Sequence, residues 1–302
     1  MARVHEPIIL LGAPRSGTTL LQSLLDRHAD VAASVEPRLV WRYGNDRRSD
    51  QLRPEHATAS VADHLHGRFA ALLRDQGATR LVEKTPANSV RPRFVEAVFP
   101  DARYVHITRN GWGAVPSMRT FWARRGTGFD AKQLRKMKRR LREVSLSQLR
   151  YYLPELGRRT YARWSSHVPL YGPHLAGLQA AADELGVLEA AAMQWRACVD
   201  QTSTFGRNLP PNRYLEVKLE TLDADVMAGM LEFCGLAPSG AVLDGFREHY
   251  RLDSARRQSS LTDDERAIVA PYVMPANSWL GYPEAGAEDV RPPSRAAGLG
   301  LP

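Results

Sequence analysis

The stretch Gly12-Ala-Pro-Arg-Ser-Gly-Thr-Thr19 constrains the fold of this chain more than any other. It follows the short apolar run Pro7 to Leu11 and opens an amphipathic segment, so strand, phosphate-sized loop and helix N-terminus come in that order. Backbone N–H groups in such a loop point inward, the helix dipole adds partial positive charge, and glycine lets the chain approach an anion closely. Gly12, Arg15, Ser16, Gly17, Thr18 and Thr19 are therefore expected to hold an anionic group. A Walker-type nucleotide loop needs Lys and then Ser or Thr after its second glycine. Here Thr18 and Thr19 follow Gly17, so the cradle is present and the triphosphate lysine is not.

Short β-type runs recur at Pro7 to Leu11, Val31 to Val35, Arg80 to Glu83, Arg103 to Thr108 and Arg213 to Lys218, separated by helix-length stretches. That pattern predicts an α/β, P-loop-containing, three-layer fold with a central parallel sheet flanked by helices. Arg109 ends the fourth run, and ligands in open α/β sheets bind at the carboxyl ends of strands, so Arg109 is expected beside the Gly12 loop. From about Phe121 to Leu209 the pattern turns helical, with breaks at Pro154, Gly157, Pro169 and Gly172-Pro173, which reads as an inserted helical cap. Asp225 to Cys234 reads as a further amphipathic helix. From Glu284 onward Gly, Pro, Ala and charges dominate, so 284–302 reads as a flexible tail and 1–283 as one domain.

With 302 residues, of which 43% are hydrophobic, the chain can bury a full core. The net charge of +8, mostly from arginine, suits anionic ligands. In Lys132 to Arg142, Leu134, Met137 and Leu141 recur at helical spacing beneath a basic outer face. This run is either a solvated face or a contact for an acidic acceptor, a membrane surface or nucleic acid. Cys198 and Cys234 form neither a disulfide framework nor a metal-ligand spacing and read as buried apolar groups. No metal is expected. The N-terminal apolar run is far below the ~20 residues needed to span a bilayer, and Met1 to Glu6 lacks a signal-peptide layout, so a cytoplasmic location is expected.

Four pieces in order, Gly12 to Leu21, Glu36-Pro37-Arg38, Glu83-Lys84-Thr85-Pro86 and Phe99 to Arg109, resemble the sulfotransferases that use 3′-phosphoadenosine 5′-phosphosulfate. The resemblance covers roughly residues 7 to 119 and, more loosely, Gln194 to Leu222. Glu36 after the first helix and Lys84 before Thr85-Pro86 are similar to the branch containing tyrosylprotein sulfotransferases and many bacterial small-molecule enzymes. The branch with a downstream catalytic histidine is less similar, and His28 and His106 read as structural. The resemblance implies that Arg15 to Thr19 hold the 5′-phosphosulfate, that Arg109 and Ser117 hold the 3′-phosphate, and that Trp195 lies near the adenine. Arg256 or Arg257 would supply a basic contact to the 3′-phosphate from the C-terminal side.

Charge and geometry give these residues roles. Sulfuryl transfer resembles phosphoryl transfer, in which positioning and stabilisation of spread negative charge do most of the catalysis. Arg15 offers a planar fork to two oxygens, and Lys84 a compact charge for the bridging oxygen of the leaving phosphate. Glu36, at the end of the second strand, is placed to take a proton from the attacking hydroxyl. Each residue also has a plainer reading. Glu36 could pair with Arg15 or Arg38, Lys84 could be a solvated lysine, and Arg109 could pair with Asp101. Ser117, after Pro116 in a helix's first turn, could be a simple cap, Trp195 could be core, and Arg256 could be a surface residue.

Three departures from the family pattern stand out: Trp112 replaces a second arginine, Leu219 replaces an aromatic residue, and Ser254 to Ser260 replaces a basic, aromatic-containing loop. The activity implied is transfer of a sulfuryl group to the hydroxyl of a small-molecule acceptor, with no nucleic-acid partner; a homo-oligomer is compatible with the sequence. Two other readings stand beside it. One is a degenerate P-loop kinase or nucleoside triphosphatase, which would require a magnesium-binding carboxylate. The other is a non-catalytic basic nucleotide- or nucleic-acid-binding protein centred on residues 132–142.

Overall fold

The computed structural model describes residues 3–125, 170–257 and 261–283. Five strands, β1 (Ile8–Leu11), β2 (Val31–Val35), β3 (Arg80–Lys84), β4 (Arg103–Thr108) and β5 (Tyr214–Lys218), form one sheet in the order β2-β3-β1-β4-β5. Every pairing is parallel. Parallel strands need crossover connections, and here helices supply them. They are α1 (Thr18–Leu25), α2 (Arg38–Trp41), α3 (Ala59–Gln76), α4 (Pro92–Val98), α5 (Gly111–Arg125), α6 (Leu178–Leu185) and α7 (Val187–Gly206). Beyond β5 follow α8 (Ala224–Phe233), α9 (Gly240–His249), α10 (Leu252–Arg256) and α11 (Asp263–Trp279).

The apolar run of β1 is continuous because both sheet faces are covered. Ile8 and Leu10 join a core with Leu21 and Leu24 of α1, Met230 of α8 and Phe246 of α9. Ile9 and Leu11 point the other way, into a core with Leu65 and Phe69 of α3 and Phe94 of α4. These are the three layers predicted from the strand spacing. A third cluster joins Trp122 of α5, Trp195 of α7 and Val273 of α11.

Order 2-3-1-4-5 puts the chain reversal at β1, whose neighbours β3 and β4 are reached in opposite directions. The loop after β1 therefore opens into the crevice at the carboxyl edge, where this class of sheet binds ligands. Of the stretch expected to form a cap, 121–125 and 170–209 are described; there α6 and α7 pack on each other, and α7 packs on α5 and α11. Residues 126–169, including the basic run 132–142, and the segment 284–302 lie outside the described residues. Among the described residues no helix is long and apolar enough to cross a membrane.

The β4–β5 edge carries a buried polar tie. Tyr214 Oη donates to Glu216 Oε2 at 2.8 Å, Arg207 donates to Glu216 Oε1 at 2.7 Å, and His106 Nδ1 lies 3.5 Å from the same carboxylate. Burial alone would raise the Glu216 carboxyl, but His106, Arg207 and Tyr214 more than offset it and hold it at about 2 instead of 4.5. A depressed folded-state pKa stabilises the fold above the unfolded value, and that stabilisation is lost as pH falls through the folded value. Urea denaturation should show stability declining between pH 4.5 and about 2. Glu216→Gln should flatten that decline, and an unchanged slope in the variant would contradict the assignment.

Candidate active site

Between β1 and α1 the chain makes a bend that only particular residues permit. A Cβ on Gly12 would lie 2.6 Å from the Ile107 carbonyl oxygen on β4, so no side chain fits there. The Gly12 N–H donates to Ser89 Oγ at 2.9 Å, and that hydroxyl donates back to the Gly12 carbonyl at 3.0 Å. The loop is thus tied to the turn that follows Lys84. Gly17 precedes α1 with φ +96°, and Arg15 takes a left-handed φ of +69°.

Two helix N-termini meet this edge, and their hydrogen bonding distinguishes them. At α5 the first N–H groups are already used: Asn110 donates to Glu220 Oε1 (2.9 Å), Gly111 to Asn277 Oδ1 (3.0 Å) and Trp112 to Asn110 Oδ1 (3.0 Å). At α1 no hydrogen bond among the described residues takes the N–H of Gly17, Thr18 or Thr19, and no side chain caps the helix. An unsatisfied helix start carrying partial positive charge is a site for an anion. The α1 end, not the α5 end, has that character.

Lys84 and Glu36 converge on α1 from the neighbouring strands. In the β2–β3 register Val35 lies beside Lys84, which puts Glu36 one step past the end of β2 and directly over Lys84. Lys84 Nζ is 2.6 Å from Glu36 Oε1 and 3.3 Å from Thr19 Oγ1. The lysine is 2% exposed and the glutamate 30%, so the pair opens to solvent on the carboxylate side.

Arg15 and Arg109 form the opposite wall. Arg15 Nε donates to Ser117 Oγ at 3.2 Å, and its guanidinium stacks 5.3 Å from the Phe121 ring centre. Arg109 donates through Nη1 to the Arg15 carbonyl at 3.1 Å and through Nη2 to the carbonyls of Ser254 (3.3 Å) and Arg257 (3.0 Å). It therefore joins the loop after β1 to the segment around α10. Burial pulls the Arg109 pKa below its ordinary value, countered by the nearby Glu220. Asp101 sits at the opposite end of β4 and accepts from the Glu6 N–H, so Arg109 does not pair with it.

The remaining expected residues are placed as follows. Ser117 lies inside α5, not in its first turn: the Asn110 side chain caps the helix by accepting from the Trp112 N–H, and its carbonyl takes the first helical bonds from Gly113 and Ala114, so Pro116 falls within the helix. Its contact with Arg15 comes from facing the loop across the crevice. Trp195 is fully buried in the third cluster, where its Cη2 lies 2.8 Å from where a Gly111 Cβ would stand. It reaches the start of α5 rather than Lys84 and Glu36. Arg256 is exposed at the end of α10. Glu220, Tyr282 and Asn277 were not singled out from sequence. Tyr282 donates to Glu220 at 2.9 Å, and the two acceptors hold the start of α5. Burial raises the Glu220 pKa, with the Asn110 N–H, Tyr282 and Arg109 opposing. Asn110 before Gly111 is an N-cap signal that the sequence did offer.

Arg15, Lys84 and Arg109 thus stand at the carboxyl edge of the sheet, with the Glu36 carboxylate beside Lys84. Residues 7–157 match the family described as Sulfotransferase family, and the chain belongs to it. The nodulation protein NoeE of Sinorhizobium fredii is 30% identical over 142 residues, 40% of this chain and 34% of that protein. A protein-tyrosine sulfotransferase of Drosophila melanogaster is 29% identical over 124 residues, 37% of this chain and 25% of that protein. The chain thus spans about a third or less of the length of these curated relatives. Among solved structures, the sulfotransferase domain of the Synechococcus olefin synthase aligns with a TM-score of 0.55 at 16% identity, covering 94% of this chain and 98% of that one. The sulfotransferase domain from the curacin biosynthetic pathway gives 0.51 at 13% identity, covering 93% and 99%. These structures share the fold.

Gly12→Ala would push a methyl group into the Ile107 carbonyl and is expected to cost about 1–3 kcal/mol. Urea denaturation measures this. A loss below ~0.5 kcal/mol, the range of ordinary surface changes, would contradict the close approach.

Proposed function

We propose that this chain, as one domain over 1–283 with its helical insertion as a cap, transfers a sulfuryl group from 3′-phosphoadenosine 5′-phosphosulfate to the hydroxyl of a small-molecule acceptor. The observation that carries the proposal is the Lys84 ammonium, which bridges Glu36 and Thr19 at the unsatisfied start of α1. The residues fit a donor with two charged ends: the Gly12 to Thr19 loop with Arg15 suits one, and Arg109 with Ser117 the other.

When bound, the donor supplies an activated sulfuryl group on a phosphate leaving group. The chain supplies the rest. The loop N–H groups of Gly17 to Thr19 bind the 5′ end, with Ser16 in the turn between. Lys84 has three N–H groups, of which Glu36 and Thr19 take two; the third suits the bridging oxygen as negative charge builds there. Arg15, held by Ser117 and Phe121, presents its fork to the non-bridging oxygens. Arg109 and Ser117 bind the 3′-phosphate, with Arg256 closing from α10. Trp195 shapes the adenine side by packing under the start of α5. Glu36, the exposed member of its pair, takes the proton from the acceptor hydroxyl. These cations cover the developing charge, so the proposal invokes no metal.

Lys84→Ala and Glu36→Gln should each slow single-turnover transfer from labelled donor by about 100-fold or more, because each acts mainly in the transition state. Affinity for 3′-phosphoadenosine 5′-phosphate should survive both changes. Rates within ~threefold of wild type would remove these roles. Arg109→Ala should instead weaken binding of that bisphosphate by about tenfold or more in titration calorimetry, the worth of a charge-assisted contact. Unchanged binding would exclude Arg109 as an anchor.

A further inference from the structure

Glu36 occupies a backbone conformation that its own sequence does not favour. Its φ is +48°, sparsely populated by residues with side chains and kept only where surrounding structure enforces it. After Pro37 comes α2, four residues long and far too short to hold itself. Something outside the turn must fix it.

That fixture lies on the far face of the sheet. Glu83 immediately precedes Lys84 on β3, so its side chain points to the opposite face. The Glu83 carboxylate is fully buried and accepts three hydrogen bonds: from Trp41 Nε1 (2.9 Å), Thr85 Oγ1 (2.6 Å) and Asn88 Nδ2 (2.8 Å). Trp41 is the last residue of α2 and sits among Phe69, Phe94 and Phe99 with no exposed surface. A second tie runs alongside. Arg38, the first residue of α2, donates to buried Asp50 at 3.1 Å, and Asp50 lies 3.7 Å from Arg91. Arg91 donates to Asn88 Oδ1 at 2.8 Å, which closes the network back onto Glu83.

Glu36 is therefore linked to β3 twice, directly through Lys84 on one face and through α2 and Trp41 to Glu83 on the other. We propose that Glu83 is a positioning residue, holding the α2 turn so that Glu36 stays against Lys84. This inference rests on the sulfotransferase reading for its kinetic consequence, though not for its geometry. Glu83 touches no reacting atom. Its effect on catalysis is read in the placement of Glu36, a readout that a residue merely stabilising the fold would not move.

Glu83→Gln keeps the shape but leaves one acceptor oxygen, so either Trp41 or Asn88 then faces an N–H. Trp41→Phe removes the same donor while keeping a ring in the aromatic cluster. In the full chain, each variant should slow single-turnover sulfuryl transfer by about tenfold or more, in line with other residues that orient a functional group. Calorimetric affinity for 3′-phosphoadenosine 5′-phosphate should stay within about twofold of wild type. Adding Glu83→Gln to Glu36→Gln should slow the reaction no further, because groups acting as a unit are not additive. Losses that multiply in the double variant, or wild-type rates in both single variants, would overturn the proposal. A crystal structure of Glu83→Gln decides the geometry separately: the Glu36 to Lys84 contact of 2.6 Å should be broken, and its retention would overturn the clamp. A wild-type chain that neither binds the bisphosphate nor transfers sulfuryl groups would sink the proposed function instead, leaving that contact distance to judge the clamp.

Discussion

The contact between Lys84 Nζ and Glu36 Oε1 depends on register. Parallel pairing sets Val35 beside Lys84, so Glu36, the residue just past β2, arrives over the lysine with no loop to spare. Slipping the pairing by one residue would turn Lys84 to the other sheet face and Glu83 toward α1. The observed register gives Glu83 its three donors, Trp41, Thr85 and Asn88, and gives Lys84 its partner Glu36, so a slip would bury both charges without them. Polar satisfaction on both faces of β3 thus fixes the ionic geometry at its edge. A buried lysine also needs a partner, since an unpaired charge in that position costs several kcal/mol, and Glu36 supplies one.

Electrostatics then divides the labour between the two helix ends at this edge. The α5 start is satisfied by Glu220, Asn277 and Asn110, while at the α1 start no hydrogen bond among the described residues takes the first N–H groups. Arg109 connects the two halves of the crevice by donating to backbone on both sides. Three carbonyl acceptors hold it in place, and Glu220 is the nearby carboxylate that favours its charge.

Much of this was legible in the chain. All five strands appear within a residue of their predicted ends, because β1, buried on both faces, reads as an unbroken apolar run and the spacing of the others matches helical crossovers. Gly12 and Gly17 announced a loop that admits no side chain. The sequence places Glu36 and Lys84 at carboxyl ends of strands, but their direct contact, with Lys84 buried, emerges only from the β2–β3 register. Other features depended on contacts far apart in sequence. Glu220, Asn277 and Tyr282 reach Asn110, Gly111 and Thr108 across more than 60 residues, and no local pattern encodes such pairs. Pro116 favours a first turn at Ser117; Asn110 starts the helix earlier and overrides that preference. Trp195 suits either stacking or core in the sequence, and the structure buries it in the third cluster against Gly111. Glu83 was read as part of a motif, while its role depends on which face of β3 it occupies.

The central claim is that this crevice binds a nucleotide phosphorylated at both ends of its ribose. Thermal unfolding of the purified chain with saturating 3′-phosphoadenosine 5′-phosphate, compared with ADP and with magnesium ATP, tests it most directly, because a ligand that binds the native state raises the melting temperature by mass action. The account predicts a clear upward shift with the bisphosphate and a much smaller one with either of the others. Stabilisation by magnesium ATP alone, with no response to the bisphosphate, would contradict it.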